Sequence, residues 1–334
     1  MAVLQTSGTY TYSPTFIDIA SATLRLTQTI NEEETATGAQ LNNTLAAANA
    51  MVKGWQVSGI NLWCEEECIL FPQRAQTLYS LGSSSADYAT LYQSLSQTYL
   101  STTALTGATS VTVNNVSGFT SGNFIGLQLD SGVNFWTTIS GAPTGNSVPL
   151  TAALPSQMSS STTQVCWSYA TPLVRPLRCY TMRRYIYASG IENPMIMLSR
   201  TDYQNLPNKQ TPGTITQAFF DPQTGQGAYQ QPLAQVNLWP SPVDYTSGFR
   251  FTAQRPLQDL ANLANLPDLP VEWTAAIKWN LAQEIMGELG TPTDQQQLIN
   301  TMAPMWFQRI ENFNREPEGV RFGVAFEPGY RVGI

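Results

Sequence analysis

Apolar residues recur every three or four positions at both ends of this chain, whereas its long middle alternates every second residue. That change of period constrains the fold more than any other feature. Helical segments enclose a strand-rich region, and the class it predicts is α+β. The expected architecture is an antiparallel helical core of two N-terminal and two C-terminal helices with an antiparallel β portion. A small inserted all-β domain and an extended C-terminal arm complete it.

Residues 1–12 are polar and read as a loose arm. Ser13 and Pro14 then predict the cap and first position of a helix carrying Phe16, Ile19, Ala20, Thr23 and Leu24 on one stripe. After the acidic loop NEEET, a second helix is expected over about 35–58. Its seam is Leu41, Leu45, Ala48, Val52 and Trp55, and Gly59 closes it. Such stripes read as core packing rather than a cofactor box. Near the other end, Pro270 opens and Gly290 closes a helix that buries Ala276 or Ile277, Leu281 and Ile285. A last helix over about 293–314 contains Pro304, which predicts a kink or an early stop.

Between the helices, NLWCEEECILF predicts a strand. From about Ser101 to Trp167 short alternating runs are broken by Asn, Gly and Ser, which predicts antiparallel strands with a structural or spacer role. The next strands flank a turn at Glu192, Asn193 and Pro194, and Ser199 or Thr201 caps a short helix. NLWPSPVDYTSGFRFTAQRP reads as a stiff aromatic hairpin, with a strand ending at Trp239, a turn at Pro240 and Pro242, and a return strand closing at Arg255. The expected segments are 1–100 and 168–315 for the core, 101–167 for the β-insert and 316–334 for the arm.

The chemistry is narrow. The chain has no histidine, which removes imidazole triads, imidazole metal sites and the commonest general base. Charged residues make up 12%, about half of the usual ~25%, and the formal net charge of −7 argues against gripping nucleic acid through phosphates. Cys64 and Cys68 flank three glutamates, but on a strand they stand roughly 13 Å apart, too far for one tetrahedral zinc. Together with Cys166 and Cys179 they read as free thiols, and no metal or cofactor is expected. The first residues lack a basic segment followed by an apolar run, and no stretch approaches ~18 apolar residues. Synthesis in a reducing cytoplasm, with no membrane partner, is expected.

Arg175, Arg178, Arg183 and Arg184 form a basic cluster, read as strand positions paired with carboxylates across a sheet. Two carboxylate pairs have spacing that a glycosidase could use: Glu65 with Glu67 on a strand, and Glu284 with Glu288 on a helix. A receptor- or glycan-binding role for the β-insert is the other alternative. In the last stretch Phe322, Phe326 and Tyr330 stand four residues apart beside glycine or proline, so the tail needs a surface to bury them.

The order of several segments is similar to that in the head-to-tail adaptors of short-tailed phages, also called tail accessory or head-completion proteins. These segments are the helix pair ending in MVKGWQVSGINLW, the Ser-Arg-x-Asp-Tyr run at Ser199 to Tyr203, and Leu-Trp-Pro-x-Pro at Leu238 to Pro242. Arg-Pro-Leu at Arg255 to Leu257 and the Leu-Pro helix start at Leu269 to Trp273 follow. The resemblance covers roughly residues 14–70 and 172–312. It implies a ring of about twelve copies beneath the portal protein, closed by a repeated head-to-tail interface. The ring would lock DNA in the head, pass it through a channel without reading its sequence, and seat the tail nozzle and the fibres or spikes. The location implied is the neck of the virion. Trp239, Pro240 and Pro242 would be a structural turn. Phe322, Phe326 and Tyr330 would fill portal pockets while Arg321 and Arg331 pair with acidic portal groups.

Overall fold

The structure, a computed structural model, describes residues 9, 11–57, 64–83, 85, 87–161, 164–222, 233–243 and 246–314. Among these residues the helices are α1 (Phe16–Leu26), α2 (Gly38–Val57), α3 (Arg200–Gln204), α4 (Thr274–Ile285) and α5 (Thr293–Phe313). The strands begin with β1 (Glu65–Leu70), β2 (Leu78–Leu81), β3 (Ala89–Leu91), β4 (Ser96–Tyr99), β5 (Ser110–Thr112), β6 (Phe124–Gln128), β7 (Asn134–Thr138), β8 (Ser147–Pro149) and β9 (Val165–Tyr169). They continue with β10 (Arg178–Ile186), β11 (Ile191–Pro194), β12 (Ile196–Met197), β13 (Pro212–Gly213), β14 (Gln217–Asp221), β15 (Ala234–Trp239), β16 (Ser241–Pro242) and β17 (Ser247–Gln254). The class is α+β. Contacts divide the chain into a helical unit, Met1–Trp63 with Leu257–Ile334, and a β-unit, Cys64–Pro256. These boundaries cut across both expected core segments, 1–100 and 168–315.

In the helical unit, α1 is capped by Thr15 rather than Ser13. Asp18 stands three residues on, and its Oδ2 accepts from the Thr15 amide at 3.0 Å and from its hydroxyl at 2.6 Å. The expected stripe Phe16, Ile19, Ala20, Thr23 and Leu24 is buried. Thr37 and Gln40 likewise exchange hydrogen bonds, so α2 starts at Gly38 rather than near 35. A strap over 257–270 ties the unit together. Its Asn265 and Leu263 carbonyls accept from the Phe16 and Ile17 amides at 2.9 Å, satisfying donors that a helix start leaves unpaired. Asn49 of α2 bonds both the amide and the carbonyl of Leu260, and Lys53 donates to the Leu257 carbonyl at 2.6 Å.

Pro270 leads into a 3-10 turn, Val271–Trp273, so α4 itself starts at Thr274; its buried positions include Ala276, Ile277, Leu281 and Ile285, as expected. Helix α5 passes through Pro304 and runs to Phe313, close to the expected end near 314, so of the kink or early stop expected at Pro304 the early stop does not occur. Beside that proline, the buried Asn280 amide donates to the Ala276 carbonyl at 2.9 Å and to the Ala303 carbonyl at 3.2 Å, joining α4 to α5. Trp55, Trp273 and Phe307 meet in the core, with ring centroids 6.2 and 5.7 Å from Trp55.

In the β-unit a five-stranded sheet, β11-β10-β17-β1-β3, and a four-stranded sheet, β12-β14-β15-β2, share one core. Cys68, Leu70, Met182, Phe249 and Phe251 enter it from the first sheet; Tyr79, Ala218, Val236 and Leu238 enter from the second. Residues 96–169 add a second four-stranded sheet, β4-β9-β6-β7, with the pair β5-β8 and an aliphatic core of its own.

Two sequence expectations fail here. The hairpin at Trp239 to Pro242 does not exist, because β15 and β17 belong to different sheets. The prolines instead carry the chain from one sheet to the other, and β16 pairs in parallel with β13 on the way. The Trp239–Pro240 peptide is cis. Glu192, Asn193 and Pro194 form β11 rather than a turn; the reversal before it is at 187–190.

Candidate functional site

The outer face of the five-stranded sheet gathers the ionisable residues. Register sets Arg250 of β17 directly opposite Arg183 of β10, two like charges side by side that would repel if left alone. Glu67 occupies the row on one side of them and Glu192 the row on the other. Arg183 pairs with Glu67 and holds Glu192 at 3.0 Å, while Arg250 pairs with Glu192 and stands 3.7 Å from Glu67. The four side chains form an alternating square.

A row of hydroxyls supports it, with Thr181 donating to Thr252 at 3.1 Å and Thr252 to Glu67 at 2.6 Å. Tyr92 lies under the Arg250 guanidinium, 3.7 Å from ring centroid to carbon. Burial raises the Glu67 pKa, but the Thr252 and Arg183 hydrogen bonds and the two arginine charges outweigh it, and the net direction is down. A carboxyl held ionised in this way suits an ion pair, not a proton donor.

Next to the square the same sheet face becomes aromatic. Ile69, Phe71 and Tyr187 pack against Trp136, Val165, Trp167 and Tyr169 of the β4-β9-β6-β7 sheet. Gly126 makes this possible. It lies between Trp136 and Trp167 in one cross-strand row, and a Cβ there would stand 2.6 Å from the Trp136 ring. The two indoles therefore meet over a bare backbone, 6.1 Å apart and nearly parallel. Within the β-unit, strands 96–169 thus share a core with the sheet that carries the charges.

The sequence-derived candidates fall in several places. Of the basic cluster, Arg183 joins the square, and Arg175 donates to the Pro222 carbonyl at 2.7 Å. Glu65 is exposed on β1, whereas Glu67 is engaged by arginines, so the two share no free acid–base arrangement. Glu288 lies beyond the end of α4, so the supposed helical pair with Glu284 is not on one helix. The four cysteines are free thiols, with Cys64, Cys68 and Cys166 buried; burial pushes the Cys179 thiol up to about 12.

Trp239 donates its indole N–H to the Asn208 carbonyl at 2.9 Å, and Pro240 and Pro242 follow it. Arg321, Phe322, Phe326, Tyr330 and Arg331 lie outside the described residues. Sequence reasoning missed Arg250, although the alternation in GFRFTAQ puts it on the face opposite Phe249 and Phe251. The pairing register that brings it to Arg183 has no local signal. It also missed the hollows in the helical unit lined by Val271, Glu272, Trp273 and Trp306. The spacing of Trp306, Ile310 and Phe313 could have pointed to them.

Searched against protein-family models, the chain matches none, and no curated protein matches it significantly.

Proposed function

We propose that this chain is a structural head-to-tail adaptor of a short-tailed phage, about twelve copies of which close a ring beneath the portal. The observation that carries this reading is that the segments bearing the resemblance are also those that tie each unit together. The Ser199 to Asn208 segment and the Leu238 to Pro242 segment meet through the Trp239 indole and through β13 and β16. Ser199 caps α3 by accepting from the Asp202 amide at 3.1 Å. Arg255 pairs with Glu66 at 2.9 Å, and Leu257 starts the strap that binds α2. Side chains used in this way give a subunit a reproducible shape, which a closed ring requires.

On this reading residues 96–169 are a β-module added to an adaptor core, with a spacing role. The square of Arg183, Arg250, Glu67 and Glu192 stiffens the sheet beside it, and residues 316–334 supply the portal-binding arm. The portal, the tail nozzle and the fibres or spikes are the partners, and DNA passes through without sequence-specific contact.

Electron microscopy of the pure chain mixed with its portal is the test. Rings at the portal mouth are expected, and portals left bare at saturating chain would overturn the proposal. The free chain is expected to sediment as a monomer at micromolar concentration. Digestion of purified cell wall by the chain would favour the glycosidase alternative instead.

A further inference from the structure

Arg183 and Arg184 are neighbours on β10 with opposite fates. Arg183 joins the charge square; alternation sets Arg184 on the other face with Met182, which enters the core shared by the two sheets. Register places Arg184 opposite Asn193 of β11 and Phe249 of β17, neither of which carries a charge. The residue is half-buried, and among the described residues its guanidinium has no hydrogen-bond or ion-pair partner. A partly desolvated cation normally stands against an anion, because shedding water without a replacement is costly.

A hollow beside it offers further donors. Its walls include Pro72, Arg184, Thr214, Ile215, Pro242 and Ser247. Ser247 is only 5% exposed, yet its hydroxyl meets no partner among the described residues, and neither does that of Thr214. Buried hydroxyls rarely go without one. Three side chains able to donate thus line one opening and lack an acceptor. The space measures about 10 Å³, room for one oxygen-sized atom and not for a sugar or a base. Whatever enters is the tip of a group whose body stays outside.

The rim narrows the choice of owner. Val243, 43% exposed, lines the hollow with Pro72 and Pro242, so the guanidinium is flanked by apolar surface. Arg74 adds one exposed cation in the turn that follows Pro72, and it too has no ion-pair partner among the described residues. That turn is fixed: the Ala75 amide donates to the Pro242 carbonyl at 2.9 Å, with Ala75 held at a left-handed φ of 63°. One buried and one exposed cation on apolar ground suit an acidic side chain carried on an apolar protein segment. A nucleic-acid backbone calls for a row of cations, and the net charge of −7 opposes it.

We propose that Arg184, Ser247 and Thr214 form a receptor for one carboxylate on a protein partner, with Arg74 attracting that acidic side chain from the rim. One carboxylate oxygen enters the hollow and accepts from the guanidinium and the two hydroxyls. The proposal does not rest on the adaptor reading.

NMR of the arginine Nε–Hε groups in the full chain tests it, with the peptide acetyl-Val-Glu-Val-amide as probe and its Gln counterpart as control. The Arg184 signal, identified by its loss in Arg184→Gln, should shift with the Glu peptide and saturate at about 1–20 mM. The Gln peptide should leave it in place. Ser247→Ala and Thr214→Val remove hydroxyls that hold nothing within the described residues, so both should keep the parent circular dichroism spectrum. Each should weaken binding about three- to tenfold. No shift up to about 20 mM, an equal shift with the Gln peptide, or unchanged affinity in both hydroxyl variants would overturn the proposal. A shift with a short DNA duplex but not with the peptide would do the same. So would binding that appears only in Asp244→Asn, since Asp244, which lies outside the described residues two positions after Pro242, would then already fill the site.

Discussion

In the β-unit, Phe71, Trp136, Trp167 and Tyr187 are drawn into a closed core; in the helical unit, Trp306 is half-buried against the core and Phe313 is 54% exposed. The charges follow the same division. Arg183, Arg250, Glu67 and Glu192 neutralise one another on the sheet, whereas Arg309 is exposed and lies over the ring of Trp306. Ionisable residues crowded together are therefore a poor guide to where this molecule can engage a ligand. On the sheet face each of the four charges already stands against one of opposite sign.

Breaking the closed core is the strongest test of this contrast. Trp167→Ala should destabilise the β-unit by about 3–5 kcal/mol, read from urea unfolding followed by near-ultraviolet circular dichroism. Trp167→Phe should cost under about 1.5 kcal/mol, since among the described residues the indole N–H has no hydrogen-bond partner to lose. A loss below about 1 kcal/mol for the alanine variant would mean that the two sheets do not depend on this core. Excising residues 101–167 removes Trp136 and Trp167 together, so ring failure in that deletion would report unfolding rather than a lost contact.

Gly126→Ala sharpens the same point without removing any ring. The new Cβ displaces the Trp136 indole, and a loss of about 1–3 kcal/mol is expected in the same measurement.

The charge square should respond to acid. The folded pKa of Glu67 lies below its unfolded value, so its contribution is present above the ordinary carboxylate range. It fades as pH falls through that range toward the folded value. Unfolding midpoints compared between pH 7 and pH 3 should drop less in Glu67→Gln than in the parent, by about 1 kcal/mol or less. Equal slopes would remove Glu67 from the acid response. The smallest effect is expected on the open surface. Leu298 is 46% exposed on α5, and Leu298→Ala should stay within about 0.5 kcal/mol.

The helices were legible because their signals are local. The stripe from Phe16 to Leu24 and the buried set from Ala276 to Ile285 lie within a few turns, and period alone reveals them. Ser199 could be read as a cap for the same reason. Ser13 misled because a cap is decided by what answers it, and Asp18 answers Thr15. Of the two effects expected of Pro304, the early stop does not occur, since a proline removes one N–H, a loss that packing of Ile299, Ala303 and Ile310 can offset. The strands β15 and β17 were visible, but their partners were not. Trp239 to Pro242 looks like a hairpin until the first strand pairs with β14 and β2, and the second with β1 and β10. The charge square depends wholly on that long-range register, which no neighbouring residues encode.

The first and last strands of the β-unit, β1 and β17, are antiparallel neighbours, with Glu65 opposite Gln254 and the Arg255 amide bonded to the Cys64 carbonyl at 2.9 Å. The chain therefore enters and leaves this unit at the same end of one strand pair. Tension applied through the two connections would load that pair by peeling, so its hydrogen bonds would take the force one after another instead of sharing it. The Arg255–Glu66 ion pair sits at the mouth of this seam and would meet the load first. Under mechanical pull the unit would open like a zipper from Cys64, with the square at Glu67 as the next stop.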